Sequence, residues 1–222
     1  MSDAVDLLAL SEPIRERFVA RHDAREVGLA SSRDAIRSAA NAIRAVHRGE
    51  VARSDELIGE ARASLATATE ACAPFPTVLH AGFVVDAAKE VAEAVLTRAA
   101  VTGQPLQGPA AVGVDDVSWL HGLAETVGEL RRACLDRVRR GELEDAERML
   151  ALMQEILSAL ATIDVPDGLT RGLRRATDGA RAITERTRGD LTTAAGQRDL
   201  RTALDAHRAV LEAASGAIVG PD

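Results

Sequence analysis

The 222-residue sequence predicts an all-α protein, and three observations carry that expectation. Apolar residues recur at helical spacing along nearly the whole chain, and no stretch alternates strictly as a half-buried strand would. Ala, Leu, Arg and Glu, all strong helix formers, are abundant. Aromatics make up only 2% of residues and include no Tyr, too few for the aromatic and β-branched surfaces of a large β-sandwich or barrel.

The elements follow in order. A first helix carries Ile36, Ala40, Ile43 and His47 on one face, with a break expected near Gly28. His47-Arg48-Gly49-Glu50 reads as its C-terminal turn with a glycine stop. A second helix runs to about Ala71, where Pro74 and Pro76 end it. The third spans Thr77 to Val101 with Val84, Ala88, Val91 and Val95 together, and the Gly- and Pro-rich stretch Gly103 to Gly113 is a loop. Leu120, Leu123, Val127, Leu130 and Cys134 form the apolar seam of a fourth helix, expected to lie antiparallel to the third. Gly141 separates it from a fifth, ending near Ile163, and Val165-Pro166-Asp167-Gly168 turns the chain again. A sixth helix ends near Gly189 and a seventh covers Gln197 to Ser215. Seven helices with short connections make one bundle-like domain over residues 1–222, with the first ~10 and last ~7 residues fraying.

The composition bounds the functional classes. The net charge of −7, from 34 acids against 27 bases, argues against a generally adhesive nucleic-acid binder but says nothing of local patches. Cys72 and Cys134 stand far apart, with no metal-ligand spacing, and read as small buried thiols in a reducing compartment. Met1 to Leu10 lacks the cationic start of a signal peptide, and no apolar run approaches the roughly 20 residues that span a bilayer. A cytoplasmic protein with no membrane partner is expected.

Charge placement is more informative than its sum. Asp86, Glu90 and Glu93 fall within about 60° of one another on the third helix, opposite Val84, Val91 and Val95. Like charges at this spacing cost a helix roughly 0.2–0.5 kcal/mol per pair, and a divalent cation between them would reverse the sign. Glu125 and Glu129 repeat the pattern on the fourth helix. Two such stripes suit a Mg²⁺ held by carboxylates, waters and a substrate phosphate; the alternative is a solvated acidic surface. Arg33, Arg37, Arg44 and Arg48 line one face of the first helix, and residues 33–48 hold four Arg against one Asp, a local charge of +3. Arg171, Arg174 and Arg175 form a second basic island. Arginine binds phosphate in bidentate fashion, so these are candidate nucleic-acid contacts; pairing with acids of a neighbouring helix or protomer is the alternative.

Other chemistries lack their residues. There is no Glu-x-x-His pair for a di-iron site, no phosphate-binding glycine loop, no zinc-protease helix and no nucleophile elbow. His22, His47, His80, His121 and His207 are scattered at no ligand spacing and read as capping or partly buried residues.

Longer stretches carry a family resemblance. His80-Ala81-Gly82-Phe83, continuing through Asp86 to Lys89-Glu90-Val91-Ala92-Glu93-Ala94-Val95, resembles the AGF…D…KEYVEAV helix of the translin family. His121-Gly122-Leu123-Ala124-Glu125-Thr126-Val127-Gly128-Glu129-Leu130-Arg131-Arg132 is similar to its GLADLVGELRR helix, and Arg44 to Glu50 to its IHRGE turn. Gly172-Leu173-Arg174-Arg175 and Thr187-Arg188-Gly189-Asp190-Leu191-Thr192 are similar to the C-terminal helix of prokaryotic members.

The resemblance implies a seven-helix translin-like α-bundle that assembles into a barrel-like homo-oligomer, a hexamer or octamer, and binds single-stranded RNA or DNA. One branch of the family, translin-associated factor X, is a Mg²⁺-dependent endoribonuclease. Carried onto this sequence, its metal ligands fall on Glu93 and Glu129, with Glu90 beside the first and its catalytic Asp on Glu125. The nucleic-acid surface falls on the region of Arg33, Arg37, Arg44 and Arg48, where the Arg spacing supplies the residues. Three departures bear on activity and stacking: Glu125 replaces Asp, Val91 replaces Tyr, and Thr77-Val78 replace an aromatic pair. A nucleic-acid-binding module without catalysis and an α-helical scaffold for protein partners are the alternative functions.

Overall fold

Helix α1 (Leu7–His47) opens a computed structural model that describes residues 6–218. Of the tails expected to fray, residues 1–5 and 219–222 lie outside the described residues, while Leu7 to Leu10 form the first turn of α1 behind an Asp6 cap. After α1 come α2 (Val51–Cys72), α3 (Pro76–Leu79), α4 (Gly82–Val101), α5 (Pro109–Val112), α6 (Asp116–Arg140), α7 (Leu143–Ala161), α8 (Asp167–Thr170) and α9 (Leu173–Ile218). Among the described residues there is no strand and no helix long and apolar enough to cross a membrane.

The all-α class agrees with expectation, but the division into seven helices is corrected to six long helices and three single turns among the described residues. Neither Gly28 nor Gly189 breaks a helix, since one interior glycine costs only about 1 kcal/mol. Gly28 instead admits a neighbour: a Cβ there would collide with Cys72 Sγ and lie 3.3 Å from the Phe83 ring. Across Gly189, α9 keeps one inward row of Leu173, Thr177, Ala180, Thr184, Thr187 and Leu191, all buried. Where the chain does turn sharply, at Gly49 and Gly141, φ is +80°, a left-handed conformation that glycine adopts without strain.

Two apolar clusters share α4. On one side Val91 and Val95 pack against Ala35, Ala39 and Ala42 of α1 and Leu57, Ala61 and Leu65 of α2. On the other, Leu96 and Ala100 meet Leu123, Val127 and Leu130 of α6, backed by Met153 and Ile156 of α7 and by α9. Helix α4 is therefore buried along most of its length, and of its acidic stripe Glu93 is buried, Glu90 half-buried and Asp86 exposed.

The expectation of antiparallel acidic helices is also corrected. Lys89 reaches Glu125 before the midpoint of α4 and α6, and Arg137 donates to the Val101 carbonyl near their ends, so the two helices run in parallel. The 14 residues from 102 to 115 make this possible. Extended, they reach roughly 46 Å, against roughly 30 Å for the length of α4. Arg62 of α2 ties this return segment down through the Ala111 carbonyl at 3.2 Å, and Trp119 Nε1 donates to the Gln107 carbonyl at 2.9 Å. Helix α1 and the first half of α9 share this direction: Gly28 lies beside Phe83 and His47 beside Glu129, while His121 meets Thr170 and Arg131 meets Thr187. Residues 7–23 and 196–214 are exposed throughout, so each of these long helices overhangs the bundle, one at each end.

Candidate carboxylate site and basic face

The site begins with a glycine. A Cβ on Gly122 would lie 2.7 Å from Ala92 Cβ, 2.8 Å from Glu93 N and 2.9 Å from the Lys89 carbonyl oxygen. Helices α4 and α6 thus touch backbone to backbone, which carries the acids of each to the other. Glu90, Glu93 and Glu125 converge there, each offering one oxygen within 4.8 Å of the others.

Their environments differ. Glu93 is 9% exposed and has no hydrogen-bond partner among the described residues. Burial first, then the charges of Glu125, Glu90 and Glu129, push its carboxyl from the ordinary 4.5 to about 8. Lys89 extends its ammonium between the other two, 2.8 Å from Glu125 and 3.2 Å from Glu90. Glu129 stands outside the triad, one helical turn beyond Glu125. It accepts a 2.6 Å hydrogen bond from His47 Nε2, whose side chain is only 3% exposed. That bond holds the Glu129 carboxyl below the usual range. Asp86 is exposed and lies outside the cluster.

Two residues here escaped the sequence reading. In the sequence His47 is one scattered histidine at a helix end, although it lies inside the Arg44–Glu50 turn that carries the resemblance. Lys89 carried a signal in its rarity, being the only lysine in the chain.

Arg33, Arg37 and Arg44 are exposed on α1, and Arg48 is its exposed C-cap. Their partners are local. Arg37 pairs with Asp34, Arg44 bonds Asn41 at 2.7 Å and Arg48 pairs with Glu50 at 2.6 Å. Arg33 and Arg44 form no ion pair among the described residues, so the face keeps unneutralised charge. In the second island, Arg174 pairs with exposed Asp164 at 3.1 Å and Arg171 caps α8 with φ +50°.

Comparison with known proteins bears on this geometry. No family model matches the chain. An uncharacterized protein of Methanocaldococcus jannaschii is 32% identical over 80 residues, a match spanning 36% of either chain. Among solved structures, AfC3PO in complex with duplex RNA is 30% identical, with a TM-score of 0.77 over 84% of this chain and 97% of that one. The chain belongs to the C3PO/translin family. AfC3PO without RNA superposes with a TM-score of 0.75 at the same identity and coverage. Apo-NeC3PO, 16% identical, shares the fold with a TM-score of 0.76 over 87% of this translin-family chain and all of its own.

The donor set of this family member suits a hard divalent cation. Three carboxylates lie within reach of one ion, and one of them, Glu93, is buried without a partner.

Proposed function

We propose that this translin-family chain binds single-stranded RNA or DNA and cleaves RNA with Mg²⁺. The observation that carries this reading is Glu93, a buried carboxyl with no partner where Glu90 and Glu125 converge. Glu93 and Glu129 would hold the ion, with one oxygen each of Glu90 and Glu125 completing the set. Bound there, Mg²⁺ would supply a water of lowered pKa and a positive charge for the scissile phosphate. Glu125, the most exposed of the triad, or Glu90 would take the proton of the attacking water once the Lys89 ammonium leaves it. The exposed arginines of α1 would follow the phosphate backbone, and the absence of Tyr leaves little base stacking to help. AfC3PO is known with duplex RNA, so duplex belongs beside single strands in the binding test.

The test is cleavage of a labelled single-stranded RNA with Mg²⁺. Activity is expected in the wild type and lost with chelator, with Glu93→Ala and with Glu129→Ala; cleavage that survives all three sinks the metal reading. For binding, Arg33→Ala and Arg44→Ala should each lower the slope of log affinity against log salt by about 0.7, the value for one lost phosphate contact on a single strand. A binding-only module is the second reading. The observation that favours it is Lys89, whose ammonium already pairs with both Glu90 and Glu125.

A further inference from the structure

Of the 27 Lys and Arg residues, Lys89 is the only lysine, and it stands inside the carboxylate cluster. Its ammonium contacts Glu125 at 2.8 Å and Glu90 at 3.2 Å, two of the three groups whose oxygens lie within 4.8 Å of one another. Its side chain is 23% exposed, so a route to solvent is open. The third group, Glu93, has no such partner. An arginine would act differently, as Arg98 shows by gripping Asp55 with two bonds of 2.7 and 2.8 Å. A planar fork locks a carboxylate, whereas an ammonium on a flexible stem is a point charge that can leave.

We propose that Lys89 is the resident cation of the unloaded site, and that a divalent ion enters by displacing its ammonium from Glu90 and Glu125. This inference rests on the metal reading above and extends it: the lysine sets how tightly the ion is held. Two cations cannot share the same carboxylate oxygens without strong mutual repulsion, so the ammonium weakens uptake for as long as it stays. Once displaced, it is free to swing outward on its four-carbon stem.

The probe is Mn²⁺ alone, titrated calorimetrically into the full chain as wild type, Lys89→Met and Lys89→Arg. Lys89→Met should tighten Mn²⁺ by about tenfold and Lys89→Arg weaken it by about tenfold, opposite shifts of about 1.4 kcal/mol. In protein labelled with ¹³C-lysine, the single side-chain signal should move on adding Mg²⁺. A merely structural ion pair predicts equal affinities, or losses in both variants, with an unmoved lysine signal; any of these overturns the displacement. If the wild type takes up no Mn²⁺, the metal reading falls and the inference with it. If the wild type binds but Lys89→Met binds no tighter, only the role of Lys89 falls.

Discussion

Glu93 holds a proton at neutral pH for as long as no cation replaces it, because burial and three neighbouring carboxylates disfavour its charge. The unfolded chain ionises this group near 4.5 and the folded one near 8. Between those values the folded state binds the extra proton, so its stability falls as pH rises through the window. In metal-free protein, Glu93→Gln should therefore gain stability over wild type as pH climbs from about 5 to 8, reaching on the order of a few kcal/mol. Denaturant melts at stepped pH read this directly, and a constant difference across the window would refute the buried proton. Saturating Mg²⁺ should remove most of the gain. His47 has the opposite linkage through Glu129, whose lowered pKa adds stability above the usual carboxylate range and loses it in acid. His47→Ala should cost about 1.5–3 kcal/mol at neutral pH, the worth of a hydrogen bond to a charged group, and much less at low pH. The acids were legible in the sequence because their spacing is a property of single helices. The burial of Glu93 was not, because a period-3.6 pattern cannot show that a third helix covers the polar side.

Among the helices, the crossing of α4 and α6 sets the distance between the carboxylates. Gly122 is surrounded by backbone atoms that no side-chain rotation can move, so Gly122→Ala must push the two helices apart. We expect a loss of roughly 1–3 kcal/mol together with weaker metal uptake, measured by thermal melting and Mn²⁺ titration. Gly128, two turns along the same helix, is the control. An added Cβ there meets nothing within 4 Å, so Gly128→Ala should stabilise by roughly 0.5–1 kcal/mol through helix propensity. Equal effects at the two glycines would contradict the close crossing. The sequence showed the boundaries of α2, α6 and α7 well, since Pro74, Pro76 and Gly141 are strong stops. It hid the unity of α9, whose inward row is half threonine. Thr177, Thr184 and Thr187 turn their hydroxyls back to the carbonyls of Leu173, Ala180 and Ile183, and so are buried at little cost without looking apolar. The parallel course of α4 and α6 is not legible in the sequence, because helical periodicity carries no direction and the intervening 14 residues are long enough to return the chain.

The molecule as a whole exposes apolar side chains on its two overhangs. Leu7, Leu10, Ile14 and Phe18 lie on the free part of α1, and Leu200, Leu204 and Leu211 on the free part of α9, each 46% exposed or more. Helical arms that show apolar stripes to water are unlike the ends of a stable monomer, and they fit the homo-oligomer expected from the sequence. Leu200→Asp with Leu204→Asp should lower the mass seen by light scattering while leaving the helix content of the bundle unchanged. An unchanged mass for this variant and for Ile14→Asp with Phe18→Asp would remove the arms from the assembly.

The arms leave opposite ends of the bundle, and that fixes the kinds of growth open to the chain. If like arms pair, each junction has a two-fold axis and every subunit joins two neighbours. If unlike arms pair, subunits add head to tail, and the last free arm is satisfied only when the rotation between junctions divides evenly into a full turn. A small change of angle at Pro13, which removes one backbone donor from the α1 arm, would then separate a closed ring from an endless fibre.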